Sequence, residues 1–465
     1  MKRTQKLAIL PVLTALAVMS GGVIRADEVI DWNQIMLKAI FVADISPPAA
    51  SRVAAIVHAS VFDAVNGIER RYTAVHVQPR APSGASVRAA AVQAAYASLV
   101  ELFPDQKSVF DSERAASLAG ISSGAGAEHS RSIDRGLAWG QTVADTILLW
   151  RSTDGFTSVF PPFTGGTAVG QWRPTPPGFA PGGAVPFAHM TPWVMKSPSQ
   201  FRPGGPPALD SDQYAADFNE TRLWGSSSSV LRTPDETAAC HFWHSSTWTY
   251  FWNRIAVSIA SERHTTLSEN ARLLALLNIS LADAAIACFD AKYTYVFWRP
   301  ITAIPLGDTD GNPATIADPT WTPLFDTPEF GTPNHPEYPS AHSTVSGAAA
   351  ETLAAYFGDE TSFTTDTDYP PMAGVARSFT SLSGSLEEIK NARVFAGIHF
   401  RSACDDGRDT GIAVADYVMA HSLRPLHGHH DEDHGHDDGD HGHEDGDHGH
   451  HNDHHGHHDG GRGPH

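Results

Sequence analysis

Three short segments in the C-terminal half of the chain carry side chains suited to holding an oxyanion. The first runs from Lys292 to Arg299 and Pro300, and the second is Pro339-Ser340-Ala341-His342. The third places Arg393 six residues before His399. Ammonium and guanidinium groups neutralise the oxygens of a tetrahedral anion, and an imidazole can attack or ligate its central atom. These residue types predict a site for an anion such as phosphate or vanadate.

The second segment has the features of a helix N-terminus. Ser340 follows a proline and precedes an alanine-rich stretch, so the amides of Ser340 and Ala341 are expected to point at the anion. His342 then lies in the first turn, where it can donate a proton to a leaving oxygen. Taken alone the motif is weak evidence, because a capping serine followed by an exposed histidine is common.

The other two segments need particular backbone paths to bring their side chains together. Lys292 and Arg299 are seven residues apart, so they share one helix face if the helix persists as far as Pro300. Arg393 and His399 differ by about 240° on an ideal helix, at ~100° per residue, and cannot share a face. A departure from the helix near Gly397 would allow His399 to turn back toward the anion.

In this order the three segments resemble the superfamily that joins vanadium-dependent haloperoxidases to phosphatases of the phosphatidic acid phosphatase type 2 group. The pattern of that superfamily is Lys-x6-Arg-Pro, then Pro-Ser-x-His, then Ser-Arg-x5-His-x3-Asp. Phe297-Trp298-Arg299-Pro300 and Glu337-Tyr338-Pro339-Ser340-Ala341-His342 are more similar to the soluble haloperoxidase branch than to the membrane phosphatases. The resemblance extends over most of residues 30–423.

The resemblance implies a role for each matched residue. His399 would ligate vanadium or, in a phosphatase, accept the phosphoryl group, and His342 would be the acid–base group. The anion oxygens would be bound by Lys292, Arg299, Ser340, Ala341 and Arg393. Two residues of the third block depart from the pattern, since Ala392 replaces Ser and Ala403 replaces Asp. The carboxylate that orients His399 is therefore expected from Asp405 or from elsewhere.

The implied cofactor is vanadate, and the implied substrates are hydrogen peroxide, a halide and a small organic molecule. His335 lies seven residues before His342, where brominating members carry histidine and chlorinating members an aromatic residue. This position favours bromide or iodide. One alternative is a secreted acid phosphatase that uses a phosphohistidine at His399. Another is an inactive bundle whose histidine-rich tail buffers metal ions.

Periodicity and composition predict an all-α fold of two packed helical bundles, with the oxyanion site in the C-terminal bundle. Apolar residues recur at helical spacing before and after a central stretch rich in Pro, Gly and aromatic residues. The predicted segments are a signal peptide (1–26), an N-terminal bundle (27–151), a wrap (152–234), a C-terminal bundle (235–425) and a disordered His/Asp-rich tail (426–465).

Charge and the first residues limit the partners and the compartment. The formal charge of −20 argues against nucleic acid, although half of it lies after Leu426, where 11 acidic residues face one basic residue. The histidines of 427–465 could bind divalent metal ions. Lys2, Arg3 and Lys6 precede a short apolar run, which predicts export to a secreted or periplasmic location without a membrane span. Three cysteines leave at least one thiol free.

Overall fold

The computed structural model describes residues 27–123, 126–327 and 330–426. Within them the fold is all-α, as predicted, with two packed helical bundles and a single antiparallel hairpin. The predicted signal peptide and the residues of the tail from 427 onward lie outside the described residues.

The described part of the chain contains thirteen α-helices, which lie in the following order. They are α1 (Glu28–Ala43), α2 (Pro47–Glu69), α3 (Val87–Leu102), α4 (Lys107–Ser122), α5 (Ser130–Arg151), α6 (Asp212–Trp224), α7 (Pro234–His244), α8 (Trp248–Glu262), α9 (Leu267–Tyr295), α10 (Pro300–Ala303), α11 (Ala341–Phe357), α12 (Leu382–Phe395) and α13 (Arg401–His421). The hairpin, which the sequence did not predict, pairs β1 (Phe363–Asp366) with β2 (Ala376–Phe379). Short 3-10 helices cover Pro104–Gln106, Val185–His189 and Ile304–Thr309.

Two long buried helices, α2 and α9, join the bundles. Helix α2 packs against α3, α5 and α9, and α9 in turn packs against α11 and α13. A capping box at Thr266 and Glu269 starts α9 by satisfying two of its free N-terminal amides. By length and composition α9 could cross a membrane, but 94% of its most apolar window is buried inside the protein. It is the central helix of the core.

Helix α9 also anchors the Pro- and Gly-rich wrap. The carboxylate of Asp283 is fully buried and accepts the backbone N–H groups of Trp193, Val194 and Met195 at 2.7, 2.9 and 3.0 Å. About two turns further along, Asp290 accepts two hydrogen bonds from Arg202. A buried carboxylate is tolerated only where hydrogen bonds replace its lost hydration. These bonds therefore hold the irregular backbone of the wrap in place. The one regular element of residues 152–211 is the 3-10 helix Val185–His189.

Close packing of α11 on α13 fixes the helix that begins after Ser340. A Cβ atom on Gly411 of α13 would lie 1.9 Å from the carbonyl oxygen of Thr344 in α11. A Cβ atom on Gly407 would lie 2.9 Å from the carbonyl oxygen of Ser340. Only glycine permits this approach of two backbones. The first turn of α11 is therefore held directly against α13.

The cysteines contribute no covalent cross-link to this fold. Cys240, Cys288 and Cys404 are all buried and all carry free thiols. The fold is therefore stabilised by helix packing, to which the long helices α2 and α9 contribute.

Substitution of Gly411 by alanine is expected to destabilise the protein, because the added methyl group must push α11 away from α13. We expect the free energy of unfolding to fall by about 1–3 kcal/mol or more. Gly120→Ala is the matched control, since Gly120 is exposed on α4 with no atom within 4 Å of the added Cβ. That variant should gain roughly 0.5–1 kcal/mol from helix propensity. Thermal and urea unfolding of both variants measures the difference, and equal stabilities would contradict the packing argument.

Candidate active site

Lys292 and Arg299 reach the site from different elements, which corrects the expectation that they share one helix face. Helix α9 ends at Tyr295 because Val296 adopts the left-handed conformation with φ of 50°. Arg299 then has extended backbone, with φ −84° and ψ 154°, as the residue before a proline prefers. It is the N-cap of α10, and Pro300 starts that helix instead of ending α9. The two cations converge through a tight turn.

Ser340 caps α11 as predicted, but its amide is not available to an anion. The Ser340 side chain accepts the N–H of Ser343 at 3.3 Å. Its own N–H donates to the carbonyl oxygen of Ala403 at 2.9 Å. This corrects the expectation of two amide donors. Ala341 and His342 of the same turn do line the cavity described below.

The predicted departure from the helix occurs at Gly397. Helix α12 ends at Phe395, and Gly397 has φ of +75°, in the region that favours glycine. A Cβ atom there would lie 2.5 Å from the carbonyl oxygen of Gly225. The turn brings His399 back toward Arg393, so that both side chains line one cavity.

The three predicted cations are buried, and among the described site residues the one buried carboxylate is that of Glu337. Lys292, Arg299, Arg393 and Glu337 are each 0% exposed. Loss of water lowers the pKa of Lys292 to about 7 and that of each arginine to about 10. Burial likewise raises the pKa of Glu337 to about 7, although Arg299 opposes this shift. The site is electropositive.

The ammonium group of Lys292 donates its hydrogen bonds to backbone carbonyl oxygens. Its Nζ donates to the carbonyl oxygens of Pro336 and Glu337 at 2.8 and 2.9 Å and also to that of Pro339. These three bonds use the three protons of the ammonium group. In this arrangement Lys292 organises the loop that leads into α11.

Arg299 donates hydrogen bonds to two histidines. Its Nη1 donates to Nε2 of His399 at 3.1 Å and to the carbonyl oxygen of Ile398 at 2.7 Å. Its Nη2 donates to Nδ1 of His335 at 3.0 Å, and its Nε donates to the carbonyl oxygen of His335. Because a guanidinium group has no acceptor, both imidazole nitrogens that face it must carry a lone pair.

Arg393 is the cation that lacks a counterpart. None of its three guanidinium nitrogens has a hydrogen-bond partner among the described residues. A buried guanidinium without an acceptor is rare in folded proteins, since the lost hydration is not replaced. The side chain lines the same cavity as His399 and His342. Arg393 is therefore the residue most in need of an anion.

His342 sits against two side chains that the sequence analysis did not assign to the site. The ring of Trp248 meets it edge-on at 5.2 Å between centroids, and the ring of His244 stacks on it at 6.3 Å. Burial, reinforced by the charge of Arg393, holds the pKa of His342 well below its usual range. The imidazole is therefore neutral at pH 7. The Trp and His residues of this segment do not by themselves predict these contacts from the sequence.

A cavity of about 800 Å³ leads to these groups from the surface. Both bundles and the wrap contribute to its wall, in which aromatic, aliphatic and Pro/Gly residues alternate with polar side chains. Its lining includes Ile40, Phe41, Pro47, residues 175–180, Trp248, Phe289, His335, His342, Arg393 and His399. The volume suits a small organic molecule.

Glu337 is the site residue whose role the sequence analysis missed. Its Oε1 lies 2.8 Å from Nδ1 of His399 and accepts the N–H of Phe400 at 3.0 Å. Asp405, the carboxylate named from the sequence, instead pairs with Lys390 at 2.7 Å. The only sequence signal was the place of Glu337 beside the Pro-Ser-x-His block.

Comparisons with known proteins agree with this architecture. Residues 272–428 match the family model of the VCPO second helical-bundle domain. Over 150 residues the chain is 32% identical to the vanadium chloroperoxidase of Curvularia inaequalis. That match covers 28% of this chain and 24% of the relative, so it spans about a quarter of the relative's length.

Solved structures extend the likeness to the whole helical body. The crystal structure of the first bacterial vanadium-dependent iodoperoxidase superposes with a TM-score of 0.73 at 26% identity, covering 86% of this chain and 97% of that one. A holo-type bacterial vanadium-dependent chloroperoxidase gives a TM-score of 0.62 at 15% identity, with coverage of 80% and 91%. The second likeness concerns the fold alone.

Replacing Arg393 by methionine is expected to stabilise the anion-free protein and to remove its response to oxyanions. Relief of the unpaired charge should raise the free energy of unfolding by about 1–4 kcal/mol. Phosphate, which should raise the melting temperature of the wild type by binding the native state, should then have no effect. Thermal unfolding with and without phosphate measures both changes.

Arg377→Met is the matched control for that variant. Arg377 is also largely buried, but it pairs with Asp235 and Glu388. Its loss should lower stability and leave the response to phosphate intact. Equal responses to phosphate in the wild type and the Arg393 variant would contradict the assignment of Arg393.

Proposed function

Because this chain belongs to the vanadium-dependent haloperoxidases, we propose that it oxidises a halide with hydrogen peroxide at a vanadate bound to His399. The observation that carries the proposal is the buried, unpaired guanidinium of Arg393 at the cavity wall, beside His399 and His342. A tetrahedral oxyanion offers the acceptors that this group lacks.

The residues present fit vanadate. Nε2 of His399 carries a lone pair, Arg393 has free donors, and Arg299 already lies at hydrogen-bond distance from His399. Ser340 and Ala341, in the first turn of α11, and Lys292, behind the loop, would complete the electropositive surroundings. Bound vanadate would supply a Lewis acid that activates hydrogen peroxide without a change in its own oxidation state.

His342 is the acid–base group in this proposal. Its imidazole is neutral at pH 7, so it can accept a proton from hydrogen peroxide and return it to a departing oxygen. Trp248 and His244 restrict the ring on two sides, which keeps it oriented toward the cavity. Its neutrality also avoids another positive charge beside Arg393.

We further propose bromide or iodide as the halide. His335 lines the cavity and receives a hydrogen bond from Arg299, so its ring lies next to the proposed anion site. The similarity to a bacterial iodoperoxidase structure supports a readily oxidised halide. The aromatic wall of the cavity supports a small organic acceptor for the oxidised halogen.

Export and metal binding by the tail complete the proposal. The basic and apolar N-terminal sequence supports a secreted or periplasmic location, and the histidines of 427–465 support binding of divalent metal ions. Neither feature enters the chemistry at His399.

A halogenation assay tests the function. With vanadate and hydrogen peroxide, the protein should brominate or iodinate a phenolic dye, and activity should disappear when vanadate is omitted. Rates with chloride, bromide and iodide should show the lowest value for chloride. Hydrolysis of a phosphate monoester without vanadate, and no halogenation with it, would instead establish the phosphatase alternative.

His399→Ala is expected to abolish halogenation, because within residues 27–123, 126–327 and 330–426 no other imidazole receives the hydrogen bond of Arg299 at Nε2 and lines the cavity with Arg393. The loss should reach background rates in a steady-state assay at saturating vanadate. His58→Ala is the matched control, because it also removes a buried imidazole, and His58 contacts Asn33 and does not line the cavity. Halogenation by the His399 variant at the wild-type rate would refute the assignment.

A further inference from the structure

His399 has hydrogen bonds on both ring nitrogens, and the two bonds agree on one tautomer. The carboxylate oxygen Oε1 of Glu337 lies 2.8 Å from Nδ1, and Nη1 of Arg299 lies 3.1 Å from Nε2. Arginine only donates, so Nε2 must accept, and the proton of a neutral ring must be at Nδ1. Glu337 provides the acceptor that this proton requires.

The position of Glu337 Oε1 does not depend on His399 alone. The same oxygen accepts the backbone N–H of Phe400 at 3.0 Å, which holds it beside the ring from the following residue. The backbone N–H of Glu337 donates to the carbonyl oxygen of Phe297 at 2.9 Å. The carbonyl oxygen of Glu337 accepts from Nζ of Lys292 at 2.9 Å. Thus Lys292 fixes the backbone that carries the carboxylate.

The nearby carboxylates on α13 are committed elsewhere. Four residues after His399, where the superfamily pattern has an aspartate, the chain has Ala403. Asp405 pairs with Lys390, and Asp406 accepts the hydroxyl of Tyr338. Glu337 is 0% exposed, and its Oε1 is the carboxylate oxygen hydrogen-bonded to His399.

We propose that Glu337 is a positioning residue that takes over the task of the missing aspartate. It holds the proton of His399 at Nδ1 and so leaves a lone pair at Nε2, which accepts from Arg299 here and would ligate the oxyanion once that hydrogen bond is given up. The role of the ring nitrogen as a ligand rests on the proposed function, but the control of the tautomer by Glu337 does not. A hydrogen bond from the other ring nitrogen to a carboxylate orients a metal-ligating histidine and raises its basicity.

Removal of the carboxylate should affect both the tautomer and the affinity. In Glu337→Ala the Nδ1 proton loses its acceptor and only the Arg299 donor still favours this tautomer. The fraction of rings with Nε2 protonated, which cannot ligate, should therefore rise. Loss of such a contact typically weakens metal binding about 10–100-fold. Glu337→Gln keeps an oxygen that can accept from Nδ1 and from Phe400, so it should retain the tautomer and lose less affinity.

The test combines two readouts on the full chain. Long-range 1H–15N spectra of 15N-histidine-labelled, anion-free protein report the protonated nitrogen of each ring, and His399→Gln identifies the signal of His399 by its loss. Equilibrium dialysis with vanadate, and competition with inorganic phosphate, report affinity. Asp405→Asn is the matched control, because the sequence named this carboxylate and the structure pairs it with Lys390.

We expect the Nδ1-protonated pattern in the wild type, in Glu337→Gln and in Asp405→Asn, with wild-type vanadate affinity in the last. Glu337→Ala should show a measurable fraction of the Nε2-protonated ring and bind vanadate about 10–100-fold more weakly. Protonation of His399 at Nε2 in the wild type would overturn the proposal without any variant, even if Glu337→Ala fails to fold. Unchanged tautomer and affinity in Glu337→Ala would also overturn it.

The two proposals can fail separately. If the wild type binds no vanadate while the tautomer still follows Glu337, the proposed function fails and the positioning role stands. If vanadate binds and supports halogenation but the Glu337 variants match the wild type in both readouts, only the positioning role fails.

Discussion

Burial of positive charge is the constraint on which the rest of this structure depends. Lys292, Arg299 and Arg393 are removed from water within a helical core that offers them one carboxylate, Glu337. Each desolvated cation must recover hydrogen bonds or be destabilising. Lys292 recovers them from three carbonyl oxygens, and Arg299 recovers them from backbone and imidazole acceptors. The loop before α11 and the turn after α12 take their paths because these acceptors must point inward.

The same helix that supplies Lys292 also anchors the wrap. Asp283 and Asp290 on α9 fix the wrap, and Lys292 near its C-terminal end fixes the loop that carries Glu337. One helix thus holds both the wrap and the loop that carries Glu337. Because α9 is buried along most of its length, movement of either part requires breaking contacts in the core.

The sequence could predict what depends on local rules and could not predict where tertiary donors would point. Helical periodicity, the cap at Ser340 and the turn at Gly397 follow from residue preferences, and all three are present. The partners of Lys292 and Arg299 are mostly backbone carbonyls, which have no sequence signature. Glu337 could not be assigned for the same reason, since its contact with His399 spans 62 positions. The hairpin β1–β2 also lacked a strong alternating pattern.

The three cations are expected to contribute unequally to the free energy of oxyanion binding, because they differ in the hydrogen-bond acceptors they already have. Lys292 and Arg299 already have acceptors, so an anion that takes donors from them replaces one hydrogen bond by another, with a small net gain. Arg393 has no acceptor in the described residues, so an anion there restores bonds lost on burial. Charge-assisted hydrogen bonds gained without breaking others are the larger contribution. Arg393 is therefore expected to supply most of the affinity for an oxyanion, whereas Lys292, Arg299 and Glu337 mainly determine the position and orientation of His399.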